Sequence, residues 1–221
     1  MLSLAIMALG ALGVVFAWAW VRAGKASVFT AMAIILGGAG LASLTTGRVA
    51  LSPRVGVTTA LVAGALAGVA FYLATIGFVL VVRRWSAFQR HVADVYDQRR
   101  GFSLGAALLL SGLVVAPFEE VFWRGLFQTR LAQTLGWPAG AALAWAAYVL
   151  ANAASGGLPV IAGAIVGGAV WGGLALWTHG VLASIVCHSI WTALMIVRPP
   201  NDRSLPPAPR SGMSQAPASA S

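Results

Sequence analysis

Long apolar stretches separated by short polar breaks constrain what this chain can fold into. We place them at 2–21, 26–44, 55–82, 102–135, 137–154, 160–178 and 181–197. A helix that crosses a membrane needs about 20 mainly apolar residues, because the hydrocarbon core is about 30 Å thick. The chain has 221 residues, of which 59% are hydrophobic and only 9% are charged. We therefore predict an all-α, polytopic membrane protein of about seven transmembrane helices, with a four-helix core in its later part.

The distribution of positive charge predicts how the chain sits in the membrane. The first stretch lacks a basic segment before it and a clear small-residue cleavage site, so we expect a retained helix and not a signal peptide. If seven helices cross the membrane in alternating directions, most of the Lys and Arg residues fall on one side of it, together with the C-terminus. That side is expected to be cytoplasmic, with the N-terminus outside. Thirteen arginines to one lysine favour a GC-rich bacterial gene, so the expected location is the cytoplasmic membrane of a bacterium.

The net charge of the chain also indicates which partners to expect. The net charge is +9, but it comes from arginines in loops and in the tail and not from a basic domain. We therefore expect contact with the lipid bilayer, including its anionic lipids, and no nucleic-acid binding. Nothing in the pattern predicts an oligomeric state.

The chain divides into three regions. Residues 1–101 hold the N-terminal membrane helices and a polar segment, 102–197 hold the later membrane core, and 198–221 form a tail rich in Pro, Ser and Ala that is predicted to be disordered. The polar segment, 85–101, predicts an amphipathic helix lying on the membrane surface, with an ordinary solvated loop as the alternative. Its apolar face would contain Trp85, Phe88, Val92, Val95 and Tyr96.

Glu119 and Glu120 are the only glutamates of the chain, and both lie inside an apolar stretch. A carboxylate at membrane depth costs roughly 2.5–3.5 kcal/mol on insertion scales, so this pair needs a partner or a function. On a helix, Glu120 and Arg124 share a face, so Arg124 is predicted to hold Glu120 ionised and oriented. Glu119 lies about 100° further round and is left to take a proton. The alternative is a Glu–Arg pair at a helix end on the membrane surface.

Two further helices carry polar pairs at four-residue spacing. Tyr148 and Asn152 share one face, and so do His188 and Thr192. Because buried polar side chains need partners, we expect these groups to meet the glutamates in one cavity. Taken singly, Asn152 has the alternative of holding two helices together, and His188 that of a satisfied buried histidine.

These residues form three motifs in a recognisable order. EExxxR stands intact at Glu119–Arg124, and the other two align with the Tyr148–Asn152 and His188–Thr192 pairs. Residues 172–188 form the segment that leads into His188, the histidine of the third motif. In motif order, spacing and membrane context, the chain from about 104 to 197 resembles the CAAX endopeptidase and bacteriocin-processing (CPBP, ABI-type) family of intramembrane glutamic proteases, as a divergent member.

The resemblance implies an endopeptidase that cleaves a membrane-anchored peptide or protein, or a C-terminal sorting tail. By this resemblance Glu119 would activate water, Arg124 would orient Glu120, and His188 would stabilise the oxyanion, with Tyr148 in support.

Two positions depart from the family pattern. Asn152 stands where the family usually has His, and Thr192 where it has Asn or Asp. Asn can orient a water molecule but cannot accept its proton, so either Glu119 acts alone or the chain is a catalytically impaired member. Such a member would be a peptide-binding, immunity or scaffold protein. A small transporter is disfavoured, because the intramembrane charge is confined to one cluster.

No cofactor is expected, and a divalent metal such as zinc is the alternative. Zinc catalysis requires three good protein ligands, and Glu119, Glu120 and His188 are a poor set. His179 is expected to lie at the membrane interface. Cys187 is expected to be structural, because adjacent residues on a helix point about 100° apart and Cys187 cannot form a dyad with His188.

Overall fold

The chain folds into helices throughout its described part. A computed structural model describes residues 1–82, 84–97 and 101–200, and for 95–97 it describes the backbone alone. These residues form eight helices and no strand, which confirms the all-α prediction. The helices are α1 Leu2–Arg22, α2 Val28–Leu44, α3 Val57–Val82, α4 Ser86–Asp97, α5 Leu104–Leu135, α6 Trp137–Ala153, α7 Leu158–Thr178 and α8 Leu182–Val197.

Four of the described helices, α1, α3, α5 and α7, are long and apolar enough to cross a membrane. Helices α2 and α8 are apolar but shorter, with 17 and 16 residues. At 1.5 Å per residue they reach about 24–26 Å, less than the thickness of a typical hydrocarbon core. An integral membrane protein is therefore supported, whereas the predicted count of seven spans is not confirmed.

Helix α5 is the centre of the packing. It contacts α2, α6 and α8, while α1 packs on α2 and on α6. Helix α8 lies mainly against α3. The helices of the N-terminal region therefore pack directly on those that carry the motifs.

Helix α5 departs from a regular α-helix on both sides of the glutamates. The segments Leu109–Val115 and Val121–Gln128 are π-helical, and Ala116–Glu120 between them is α-helical. Pro117 supplies a physical reason for the first one, because proline has no N–H to donate and its ring clashes with the carbonyl four residues earlier. Widening the helix before Pro117 relieves that clash. Such π segments often occur at functional sites.

Five helix starts differ from the predicted stretches by one or two residues, and two of these shifts have a clear local cause. Helix α7 begins at Leu158 and not at residue 160, so Pro159 lies in its first turn and not in the preceding loop. Proline is favoured there, because the first N–H groups of a helix have no partner within it. Helix α3 begins at Val57, two residues later than predicted, because Gly56 turns the chain at φ +87°.

The polar segment after α3 forms α4, and part of its apolar face is covered by protein. Phe88 and Val92 are buried, and the ring of Phe88 lies 5.5 Å from that of Phe78 on α3. His91 Nδ1 accepts a hydrogen bond from the backbone N–H of Leu158 at the start of α7. The predicted helix is therefore present, which excludes the alternative of a solvated loop, and part of its apolar face packs on α3 and α7. The side chains of Val95 and Tyr96, like the tail from 201 onward, lie outside the described residues.

The close contact between α3 and α8 generates a prediction about stability. A Cβ atom at Gly64 would lie 2.6 Å from the carbonyl oxygen of Ala183, and one at Gly68 would lie 2.8 Å from that of Cys187. Gly64→Ala and Gly68→Ala should each lower the free energy of unfolding by about 1–3 kcal/mol, because backbone atoms cannot move aside cheaply. Denaturation in mixed micelles measures this effect. Gly77→Ala is the matched control on α3, where nothing lies within 4 Å, and equal losses for all three variants would contradict the prediction.

Candidate active site

The carboxylate of Glu120 is the centre of a buried polar cluster. Its Oε1 atom accepts a hydrogen bond from Arg124 Nη1 at 3.0 Å and lies 3.0 Å from His188 Nδ1. Glu120 is 0% exposed and Arg124 only 3%, so the alternative of a surface ion pair is excluded. The second oxygen, Oε2, is buried and has no partner within the described residues. One acceptor position therefore remains for a water molecule or a substrate group.

Arg124 ties this cluster to two further helices. Its Nη2 atom donates to the carbonyl oxygen of Gly168 on α7 at 3.2 Å. The guanidinium carbon lies 4.4 Å from the ring centroid of Tyr148 on α6 and 5.5 Å from that of Trp171 on α7. Such placements over aromatic faces are favourable for a cation, and more so when it is desolvated. Arg124 thus connects its own helix, α5, to α6 and α7.

Glu119 has a different environment from its neighbour. It is 7% exposed, and the hydroxyl of Tyr148 lies beside its carboxylate as a hydrogen-bonding partner. The charges of Glu120, Arg124 and His188 also act on it. The predicted asymmetry is present, because Arg124 holds Glu120 and not Glu119.

The imidazole of His188 is held flat against an indole. Its ring lies 3.7 Å from that of Trp171, with an angle of 14° between the two planes. The ring of Tyr148 meets Trp171 edge-on at 6.4 Å. Sequence reasoning missed Trp171, because a tryptophan in an apolar helix belongs to no motif.

Small residues of α7 make its backbone carbonyls available to α5. Gln128 Nε2 donates to the carbonyl oxygen of Gly172 at 3.1 Å, one turn beyond the contact of Arg124 with Gly168. The glycine spacing of this helix was a signal for close approach. Gln128 itself was missed, although a polar residue one turn after Arg124 in an apolar stretch could have indicated it.

Asn152 has both ends of its amide engaged in packing. Its Oδ1 atom accepts from Trp18 Nε1 on α1 at 3.1 Å, and its Nδ2 atom donates to the backbone carbonyl of Tyr148 at 3.0 Å. These two hydrogen bonds match the alternative in which the amide joins two helices. Thr192 is half-buried and forms no side-chain hydrogen bond within the described part of the chain, so the structure does not bring it into the cluster.

Two other candidates lie outside the cluster or serve packing. His179 ends α7 and meets the ring of Trp137 edge-on at 4.4 Å, in a cavity separate from Glu119. Cys187 is a free and fully buried thiol.

The donor set does not fit a catalytic zinc. Among the described residues, no three side chains of His, Cys, Asp or Glu are arranged to hold a metal ion. Glu120 Oε1 is already shared by Arg124 and His188, and a guanidinium beside the carboxylate would oppose a second cation.

Comparison with known proteins places the cluster within one matched segment. Residues 101–194 match the model of the type II CAAX prenyl endopeptidase Rce1-like family. This confirms the resemblance to CPBP proteases over that segment, which is less than half of the chain. No curated protein and no solved structure matches the chain significantly.

Because Glu120 is buried, removing the arginine that pairs with it should lower the stability of the protein strongly. Arg124→Gln should destabilise the protein by about 3–5 kcal/mol, because it leaves a carboxylate buried without a guanidinium. The double variant Glu120→Gln/Arg124→Gln should lose less than the sum of the two single changes, since neither charge remains. Denaturation of the four proteins of this cycle measures the coupling. Additive losses would contradict a direct interaction.

The contact between Trp18 and Asn152 predicts that α1 helps to hold α6. Trp18→Phe should cost about 1–3 kcal/mol, because it leaves the buried Asn152 oxygen without its donor. Trp177→Phe is the matched control, since Trp177 is exposed and should tolerate the change. Thermal unfolding in detergent measures both variants, and equal melting temperatures would contradict the prediction.

Proposed function

We propose that this protein, whose residues 101–194 match the Rce1-like family, is an intramembrane endopeptidase. It hydrolyses a peptide bond in a membrane-anchored peptide or protein, or in a C-terminal sorting tail. The observation that carries the proposal is the asymmetry of the two glutamates. Glu120 is fixed by Arg124 and His188, whereas Glu119 has the Tyr148 hydroxyl as its neighbour and is held by neither of those two groups.

Glu119 acts as the general base. Its carboxylate takes a proton from a water molecule, and the water oxygen forms a bond to the carbonyl carbon of the substrate. The protonated Glu119 then gives that proton to the leaving nitrogen as the carbon–nitrogen bond breaks. A positioned carboxylate can perform both transfers, and such general acid–base catalysis contributes about 10²–10⁴-fold to rate. The Tyr148 hydroxyl beside Glu119 orients the carboxylate for this step.

His188 stabilises the oxyanion of the tetrahedral intermediate. An ionised carboxylate only accepts hydrogen bonds, so Nδ1 carries the proton that points to Glu120. The ring then has Nε2 left for the substrate, and Nε2 donates to the oxyanion when both nitrogens are protonated. Glu120 stabilises that cation, while Trp171 fixes the plane of the ring. A donor held in place before the reaction supplies the electrostatic stabilisation.

The proposed reaction also defines what the protein requires from its surroundings and partners. The reaction needs no cofactor, because water is the nucleophile and side chains move its proton. The partners are the substrate and the lipid bilayer, with no nucleic acid. We propose the cytoplasmic membrane of a bacterium because of the excess of arginine over lysine, and a cytoplasmic C-terminus because of the distribution of positive charge.

A second candidate function is a catalytically impaired family member that binds a hydrophobic peptide as an immunity or scaffold protein. The engagement of Asn152 favours it, because both ends of the amide are used by Trp18 and Tyr148. A family position usually filled by His therefore serves packing in this chain.

Cleavage assays in proteoliposomes test the two functions. A panel of tagged membrane-tail substrates is incubated with the wild type, with Glu119→Gln and with Asp94→Asn, in the presence and absence of a chelator. Cleavage should fall about 10²–10⁴-fold in Glu119→Gln, because the amide cannot take the proton. Asp94→Asn is the matched acid-to-amide control on α4 and should keep full activity.

The outcomes separate the proposals. Chelator-resistant cleavage that disappears only in Glu119→Gln supports the glutamate-driven endopeptidase. Cleavage that survives Glu119→Gln contradicts it. Binding of the same tails without cleavage, unchanged in Glu119→Gln, favours the peptide-binding protein.

A further inference from the structure

A cavity of about 580 Å³ lies at one end of the helices, apart from the glutamates. It forms where the loop between α2 and α3 meets the last turns of α5 and the end of α7. We call it the basic pocket. Its wall contains Thr46, Gly47, Arg48, Val49, Ala50, Arg54, Thr129, Gln133, Trp137 and His179.

The charge of the basic pocket is positive and uncompensated. Arg48 and Arg54 line it, and no acidic side chain does. Neither arginine forms an ion pair within the described residues. Arg130 adds a third cation, because it lines a neighbouring cavity together with Arg48 and donates from Nη1 to Gln133 Oε1 at 2.7 Å. Arginine clusters of this kind are suited to phosphate, which accepts several hydrogen bonds at once.

The basic pocket is preformed by backbone contacts. The loop between α2 and α3 is tied to the α7–α8 turn through Arg54 N to Thr178 O at 2.8 Å and Val181 N to Ala50 O at 2.9 Å. His179 adopts a left-handed conformation with φ 52°, the only described non-glycine residue to do so. Its Nδ1 atom is buried and has no hydrogen-bond partner in the described part of the chain. The left-handed conformation is that of a helix C-cap, so it is the buried ring nitrogen without a partner that requires an explanation.

Exposed apolar side chains close in sequence to the basic pocket indicate which kind of anion the pocket binds. Leu51, Val57 and Leu135 are exposed, and each lies within three residues of a residue that lines the pocket. In a membrane protein, exposed apolar side chains such as these contact lipid chains. An amphiphile would place its charged group on the arginines and its chains along the apolar surface.

We propose that the basic pocket binds the phosphate of an anionic phospholipid headgroup. Arg48 and Arg54 hold the phosphate oxygens, and His179 supplies a further hydrogen bond from its ring. The proposal stands independently of peptidase activity, since the glutamates take no part in it.

Native mass spectrometry of the full chain in detergent, titrated with phosphatidylglycerol, tests the proposal. The wild type should retain one tightly bound lipid. Arg48→Gln and Arg54→Gln should each weaken that binding about fivefold, and the double variant about 25-fold, since each cation near a membrane surface contributes comparably. His179→Asn should also weaken it while keeping the fold, because asparagine tolerates the left-handed conformation.

Arg84→Gln is the matched control. Arg84 is exposed just beyond the other end of α3, so removing it changes net charge equally but should leave the tight site intact. Thermal unfolding without added lipid checks that every variant folds.

The proposal is supported if lipid binding is weaker only in the pocket variants and inorganic phosphate does not compete with the lipid. Equal affinity in all variants, or an equal loss in Arg84→Gln, overturns it. Full displacement of the lipid by inorganic phosphate would indicate a soluble-anion site, and displacement by a peptide with a free C-terminal carboxylate would indicate a peptide site. Either result overturns the lipid proposal.

Discussion

The burial of one carboxylate, that of Glu120, sets requirements that much of the structure meets. A charge at this depth persists only when paired, and Arg124 and His188 supply the partners from α5 and α8. Arg124 in turn needs acceptors, and the carbonyl of Gly168 serves because glycine lets α7 approach. A side chain at that position would meet the ring of Tyr148. The cluster and the close packing of its helices therefore depend on each other.

Adjacent glutamates in one helix receive different environments because they point in different directions. Glu120 faces Arg124 and His188, whereas Glu119 faces the hydroxyl of Tyr148. The π segments on either side of Ala116–Glu120 change the rotation of the helix before and after the pair. A helix that is widened around its charged residues can keep one carboxylate bound and the other available. This division is what hydrolysis by a glutamate requires.

The sequence predicted those features that depend on local spacing. Glu120 and Arg124 are four residues apart, so their contact follows from helix geometry alone. The role of Asn152 could not be predicted, because its partner Trp18 is 134 residues away. The stacking of Trp171 on His188 is likewise a tertiary contact. Pro117 could have indicated the irregular α5, but proline alone does not distinguish a π segment from a kink.

The hydrogen bond between Trp18 and Asn152 has a consequence for how this chain and its relatives can diverge. Trp18 lies on α1, outside the segment that matches the family model, whereas Asn152 occupies a motif position inside it. A histidine at position 152 would need a different neighbour on α1, and a smaller residue at 18 would leave the asparagine without its donor. A residue inside the matched segment is therefore held in place by a helix that lies outside that segment.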